Sequence, residues 1–270
     1  MSIVLNPGHT DRLVVRTEVA GRPVIRKQYR DETGADVHAS MRALWASPFG
    51  ATRTPPGMPA PLAYDPTTRT LDMSVVHGDP LGARGDVGQV PVLLDEVARL
   101  LADLHSSGTT VPRRRTPDKL IRSLGRKLPD DPRGLLPRIA VRAPEGERLC
   151  PNHGDFSPRN VILTADGPAL IDFDRLQMAG PGRDVQYMAA WCWVTATVNG
   201  SGGPTDAWDL GDAFEAAYLE ARPAAAKDLH GGRTFHRACG LVRIATEWSS
   251  MRSDPAASAL VLDQVEALLR

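Results

Sequence analysis

Cysteine is scarce in this chain: three in 270 residues, Cys150, Cys192 and Cys239. The number is odd and none forms a CxxC pair, so no disulfide framework can be drawn. A reducing, cytoplasmic setting is expected, with all three as small buried hydrophobes. Long apolar runs are missing too. None approaches the roughly 20 residues that span a bilayer. Residues 1–8 lack a basic stretch followed by a long apolar one, so no secretory signal is visible. Net charge is zero, with 32 Lys and Arg against 32 Asp and Glu. It is unevenly spread, since residues 1–150 carry 22 basic against 17 acidic side chains, and residues 151–270 carry 10 against 15. Neither half is basic enough to suggest nucleic acid as a partner. Lysine itself is rare: 4 of the 32 basic residues, with Lys27 the sole Lys before residue 119.

What is present reads as an ordinary globular chain, 42% hydrophobic and 24% charged. Its length fits one large or two unequal domains. Residues 13–19 and 23–29 are β-rich runs around Ala20-Gly21-Arg22 and predict a hairpin. Val37, Met41, Leu44 and Trp45 recur at helical spacing. A Pro- and Gly-rich loop follows over 52–61, then a second hairpin over 62–76. His77-Gly78-Asp79-Pro80 marks a change of character. Beyond it helices dominate: the first begins near Pro91 and stops at Gly108, and further helical patterns run over 185–193, 207–220, 234–251 and 257–269. The exception is a hairpin signalled by Asp166-Gly167 between two apolar runs. The expected organisation is a strand-rich lobe over 1–78 and a larger helical lobe over 79–270.

The segment 153–174 carries the chemistry. His153-Gly154-Asp155-Phe156-Ser157-Pro158-Arg159-Asn160 is followed by Leu170-Ile171-Asp172-Phe173-Asp174. Phosphoryl transfer needs such a set: one carboxylate to orient a hydroxyl, and an amide plus a second carboxylate to hold Mg²⁺ on a nucleotide triphosphate. Taken singly, Asp155 reads equally as a turn Asp bonding its own backbone. His153, ahead of a Gly-Asp turn, reads as a packed, hydrogen-bonded brace. Lys27 reads either as a surface Lys or as a phosphate contact, and its rarity among the basic residues favours the contact.

His153-Gly154-Asp155-x-x-Pro158-x-Asn160 with Ile171-Asp172-Phe173-Asp174 resembles the signature of the aminoglycoside phosphotransferase and choline kinase family. Leu101-Ala102-Asp103-Leu104-His105 and Gly182-Arg183-Asp184-Val185 extend the likeness. The resemblance implies an α+β, bilobal protein-kinase-like fold with ATP in the cleft; GTP stays open. It makes Asp155 the catalytic base and Asn160 and Asp172 the Mg²⁺ ligands. Lys27 would contact the phosphates, and Val76 and His77 would adjoin the nucleotide at the hinge. Asp174, Ser157 and His153 are accessory positions; Asp174 could serve a second metal or the substrate, or stand solvated.

Two features of the family's fold are missing. No GxGxxG loop occurs in the lobe over 1–78, and the helix over 37–45 has no Glu to pair with Lys27. Asp36, His38 and Glu32 are the nearest substitutes. Three functions follow. The first is a kinase for a hydroxyl of a small molecule, such as an antibiotic or a natural-product intermediate. The second phosphorylates Ser or Thr of a ribosomally made peptide, which would dock on the basic run Arg113, Arg114, Arg115, Lys119, Arg122, Arg126 and Lys127. The third is a non-catalytic nucleotide-binding scaffold. Asp206, Asp209, Asp212 and Glu215 could hold a cationic substrate or simply face solvent. Trp191, Trp193, Trp208 and Trp248 could line an acceptor pocket or form core.

Overall fold

The computed structural model describes all residues except 1–2, 6–11, 84–89, 132, 199–205 and 252–253. The N-terminal part is a five-stranded antiparallel sheet built from β1 (Ile3–Val4), β2 (Arg12–Val19), β3 (Arg22–Tyr29), β4 (Pro61–Asp65) and β5 (Thr70–Ser74), in the order β1-β2-β3-β5-β4. The β2–β3 turn has positive φ at both Ala20 and Gly21, the backbone that matches strand twist in a two-residue hairpin. Helix α1 (Thr33–Trp45) packs on the sheet through Val37, Met41 and Leu44. These are spaced for one helical face, as the sequence predicts.

Strand alternation sets the face that matters. Arg12, Val14 and Arg16 share one face of β2, and Ile25, Lys27 and Tyr29 share one face of β3. The register pairs Arg12 with Tyr29, Val14 with Lys27 and Arg16 with Ile25. One side of the sheet therefore presents Lys27 beside an arginine-rich strand.

Gly78 carries the chain out of the sheet at φ +146°, and a Cβ there would lie 2.2 Å from the Leu163 carbonyl oxygen. No other residue tolerates that approach. Strand β6 (Asp79–Pro80) then pairs with β8 (Val161–Thr164), which pairs with β9 (Gly167–Leu170). Strand β7 (Cys150–Asn152) pairs with β10 (Gln177–Ala179). The predicted Asp166-Gly167 hairpin is present, with its two-residue loop one position earlier, at Ala165-Asp166.

The remainder is helical: α2 (Val90–His105), α3 (Pro117–Gly125), α4 (Leu135–Ala140), α5 (Gly182–Val198), α6 (Asp209–Ala221), α7 (Ala226–Met251) and α8 (Pro255–Leu268). One apolar cluster runs from α1 and the sheet through α2 to Phe156 and Phe173, under the segment 153–174. A second joins α3, α4, α5, α7 and α8. Cys150, Cys192 and Cys239 are buried and unpaired, as expected. Trp193, Trp208 and Trp248 belong to the second cluster, with Trp191 packed against it. No described helix is long and apolar enough to cross a membrane.

Candidate active site

A cavity of about 650 Å³ lies against the described face of the sheet. Arg12, Arg16 and Lys27 line it from the sheet, and Asp155, Asn160 and Asp172 from the segment 153–174. The sequence motif and the rare lysine, 128 positions before Asp155, are thus brought together. Val76 and Gly78 line the cavity as well. His77, expected beside them, is exposed and is not part of the lining.

The loop bearing Asp155 is held by backbone clamps. Gly154 adopts φ +77°, and a Cβ there would meet the Arg175 carbonyl oxygen at 2.4 Å. The N–H groups of His153 and Gly154 donate to the two carboxylate oxygens of Asp184, at 2.6 and 2.9 Å. Asp184 sits in the first turn of α5, where the helix dipole favours a negative charge. Burial pushes its carboxyl up, but the hydrogen bond and charge of His105 hold it below the usual range. His153 is buried and hydrogen-bonded on both ring nitrogens. Its Nδ1 accepts from the Asp155 N–H at 3.3 Å, which leaves the proton on Nε2, 2.8 Å from the Ile171 carbonyl. Ser157 is buried, and its hydroxyl lies 3.4 Å from the Asp155 carbonyl.

Asp155 is 6% exposed and surrounded by arginine. Arg243 of α7 donates to its Oδ1 at 2.5 Å. Arg159 is at 3.4 Å and Arg175 at 4.0 Å. Burial raises the Asp155 pKa, but Arg243, then Arg175 and Arg159, outweigh it and keep the carboxylate below its ordinary range. It is therefore ionised at neutral pH, as an acceptor of a hydroxyl hydrogen must be. Arg243 also donates to the Gly154 carbonyl at 2.9 Å and to Glu247 at 3.0 Å, and lies 4.3 Å over the Tyr187 ring.

Asn160 donates its amide to the Asp155 carbonyl at 2.8 Å, so Oδ1 is the atom left for another partner. The Ile171 N–H donates to the Asn160 carbonyl at 3.0 Å, joining the loop to the segment with Asp172. Asp172 has φ +66°, a left-handed conformation unusual outside glycine. Lys27 lies 2.5 Å from Asp172 Oδ1 and 2.8 Å from Asp174 Oδ1. Arg12 is 3.2 Å from Asp172 and 3.0 Å from Asp174. Tyr29 donates its hydroxyl to Asp174 at 2.9 Å. Burial raises the Asp172 pKa, but Lys27 and Arg12 bring it well below the ordinary value. Burial lowers the Lys27 pKa, and Asp174 and Asp172 more than restore it.

These contacts correct the search for a helix partner. Lys27 is 5% exposed, not a surface residue, and its carboxylates come from 172 and 174 rather than α1. Glu32 pairs with Arg69 at the surface, His38 stacks on Tyr64, and Asp36 is exposed.

The acidic series of α6 is also reassigned. Asp212 bonds Arg233 and Arg237, Glu215 bonds Gln186 and both arginines, and neither residue lines the cavity. Asp209 is exposed, and the Asp206 side chain falls outside the described residues. No tryptophan lines the cavity. The basic run is largely surface, but Arg113 donates to the Asp174 carbonyl at 2.9 Å and Lys127 comes within 3.9 Å of Glu247. Arg12 and Arg243 had no signal of their own in the sequence; Asp184 stood in the Gly182-Arg183-Asp184-Val185 stretch, which did not reveal its clamp on residues 153–154. Arg159 stood inside the motif and Arg175 directly after it, but both were hidden by the abundance of arginine.

The oxygen donors suit a hard cation. Mg²⁺ takes one or two protein oxygens and completes its shell with phosphate and water. Asn160 and Asp172 offer that, and no described group of three His, Cys, Asp or Glu side chains forms a cage for another metal.

A model of the phosphotransferase enzyme family matches residues 3–233. The chain belongs to that family. A search of curated proteins finds no match. Solved structures give the same fold at low identity. A choline kinase from Streptococcus pneumoniae is 12% identical, with TM-score 0.66, over 100% of this chain and 93% of that one. A choline/ethanolamine kinase family protein from Mesorhizobium loti is 16% identical, with TM-score 0.64, over 99% and 88%. An aminoglycoside phosphotransferase from Streptomyces rimosus is 19% identical, with TM-score 0.58, over 83% and 90%. The fold is protein-kinase-like and the chain is a phosphotransferase acting on hydroxyl groups.

Proposed function

We propose that the protein is an ATP- and Mg²⁺-dependent kinase for a hydroxyl of a small molecule. The observation that carries this reading is the convergence of Asp155, Asn160, Asp172 and Lys27 on one cavity. Mg²⁺ on the nucleotide would supply charge neutralisation at the transferring phosphoryl group. Asn160 and Asp172 would hold it. Asp155 accepts the hydrogen of the acceptor hydroxyl and fixes its direction; its low pKa makes it an orienting group that takes the proton late. Lys27 and Arg12 place positive charge on the sheet side, where phosphate oxygens need it. Residues 1–78 then form the nucleotide-gripping part, and residues 79–270 the part that supplies the reacting carboxylate and the acceptor pocket.

A second reading is a nucleotide-binding protein without transfer. The observation favouring it is that Asp172 already carries two cations, Lys27 and Arg12. One assay separates the two. The kinase reading expects Mg²⁺-dependent turnover of ATP in wild type, lost in Asp155→Asn while nucleotide binding persists. Turnover that is equal in Asp155→Asn would refute the assignment of Asp155.

A further inference from the structure

The structural neighbours named above include kinases for choline and aminoglycosides, both of which are cations. The surroundings of Asp155 do not suit a cation. Four basic side chains gather around Asp155 and Glu247. Arg243 is 2.5 Å from Asp155, Arg159 3.4 Å and Arg175 4.0 Å, while Lys127 is 3.9 Å from Glu247. Two carboxylates, Asp155 and Glu247, face these four charges. Arg243 is buried, and its forks are engaged by Asp155, Glu247 and the Gly154 carbonyl. Arg159 and Arg175 differ. Their side chains are 49% and 46% exposed, and both line the cavity. Among the described residues, Asp155 is the one carboxylate within 4 Å of Arg175. Arg115 stands behind them, its pKa lowered by burial and by the charges of Arg113, Arg126, Arg175 and Arg243.

Like charges brought together in a cleft repel an incoming cation and draw an anion. We infer that Arg159 and Arg175, backed by Lys127, form an acceptor subsite for a hydroxyl compound that carries a phosphate or carboxylate group. The inference rests on the kinase reading above and names its substrate class. Planar guanidinium forks suit both kinds of anion.

The test loads the protein with Mg²⁺ and a non-hydrolysable ATP analogue, so that the γ-phosphate site is filled first. Inorganic phosphate, D-glucuronate, glucosamine and choline are then titrated by calorimetry. The expected result is saturable binding of at least one anionic probe, tenfold or more tighter than either amine. Folded Arg159→Gln/Arg175→Gln protein should lose that preference by tenfold or more. Equal affinities, tighter binding of an amine, or an anion preference untouched by the double substitution would each overturn the inference. Failure of the nucleotide analogue to bind would instead remove the kinase reading, and the acceptor assignment with it. The two failures are read in separate steps of one titration.

Discussion

Replacing Arg243 by Met tests whether α7 holds the Asp155 carboxylate. Met keeps much of the length of Arg and removes the fork. Asp155 and Arg243 both have side chains 8% exposed, so the pair is shielded from solvent. Removing one partner of a buried pair costs about 3–5 kcal/mol, because the other charge is left behind. Arg159 and Arg175 remain near Asp155, at 3.4 and 4.0 Å, so the lower end applies. Arg243→Met should therefore lose about 3 kcal/mol in urea unfolding, with an unchanged m value. On an Asp155→Asn background the stranded charge is gone. The same substitution should then cost about 1–2 kcal/mol, for the bonds to Gly154 and Glu247. The cycle should yield a coupling of about 1–2 kcal/mol. Activity should fall with the single substitution, and its acid limb should move to higher pH as Asp155 loses its strongest counter-charge. A single cost below about 1 kcal/mol, or a coupling within about 0.3 kcal/mol of zero, would refute the claim that Arg243 positions Asp155.

Other outcomes follow from the same contacts. Asp155→Asn should lower kcat by about 10²–10⁴-fold with little change in nucleotide affinity, checked by ADP release and by titration. Asp174→Asn should weaken the hold on Lys27 and raise the KM for ATP more than it lowers kcat; the reverse split would count against it. Gly154→Ala must move the Arg175 carbonyl and should cost at least about 2 kcal/mol. Gly108→Ala, at a similar φ of +72° with nothing within 4 Å, should cost about 1 kcal/mol. The two are compared by thermal or urea unfolding. Asp155 and Asp172 both have depressed folded pKa values, so the unfolded chain binds more protons in acid. Their stabilising contribution is complete above the unfolded value of about 4 and is lost as pH falls through the folded values below it. Urea midpoints should hold from pH 7 to about 5 and then drop, and a midpoint that rises on acidification would contradict the assignment.

Much of the architecture was legible because its signals are local. The β2–β3 hairpin, the α1 face and helix α2 appear where period and turn residues place them, while α7 starts at Ala226, ahead of the pattern over 234–251. The segment 153–174 was legible for a related reason: its residues act on one another within about 20 positions. Lys27 was found because lysine is rare here. Arginine carries no such information in a chain where it supplies 28 of 32 basic residues. Arg12 meets Asp172 across 160 positions and Arg243 meets Asp155 across 88, and neither separation leaves a pattern. The acidic residues of α6 misled because their partners, Arg233 and Arg237, lie on a different helix, four residues apart and on one face. A helix read alone looks solvated when its charges answer a neighbour.

The helix glutamate that Lys27 lacks is accounted for by strand geometry. Lys27 and Tyr29 project from the same face of β3, two residues apart, and both reach Asp174. Asp174 follows Asp172 in a turn that opens with a left-handed residue, so the two carboxylates approach the Lys27 ammonium together. Arg12, opposite Tyr29 on β2, closes the group. The anchor of Lys27 therefore comes from the segment that carries the motif, not from its own sheet. Asp174 is the more buried of the two, at 9% against 26%, and takes the tyrosine hydroxyl as well. Asp174 thus has three partners, Lys27, Arg12 and Tyr29, and Asp172 has two, Lys27 and Arg12. On the kinase reading proposed above, the grip on phosphate and the metal site would both depend on this one short turn, and a displacement of residues 172–174 would disturb both at once.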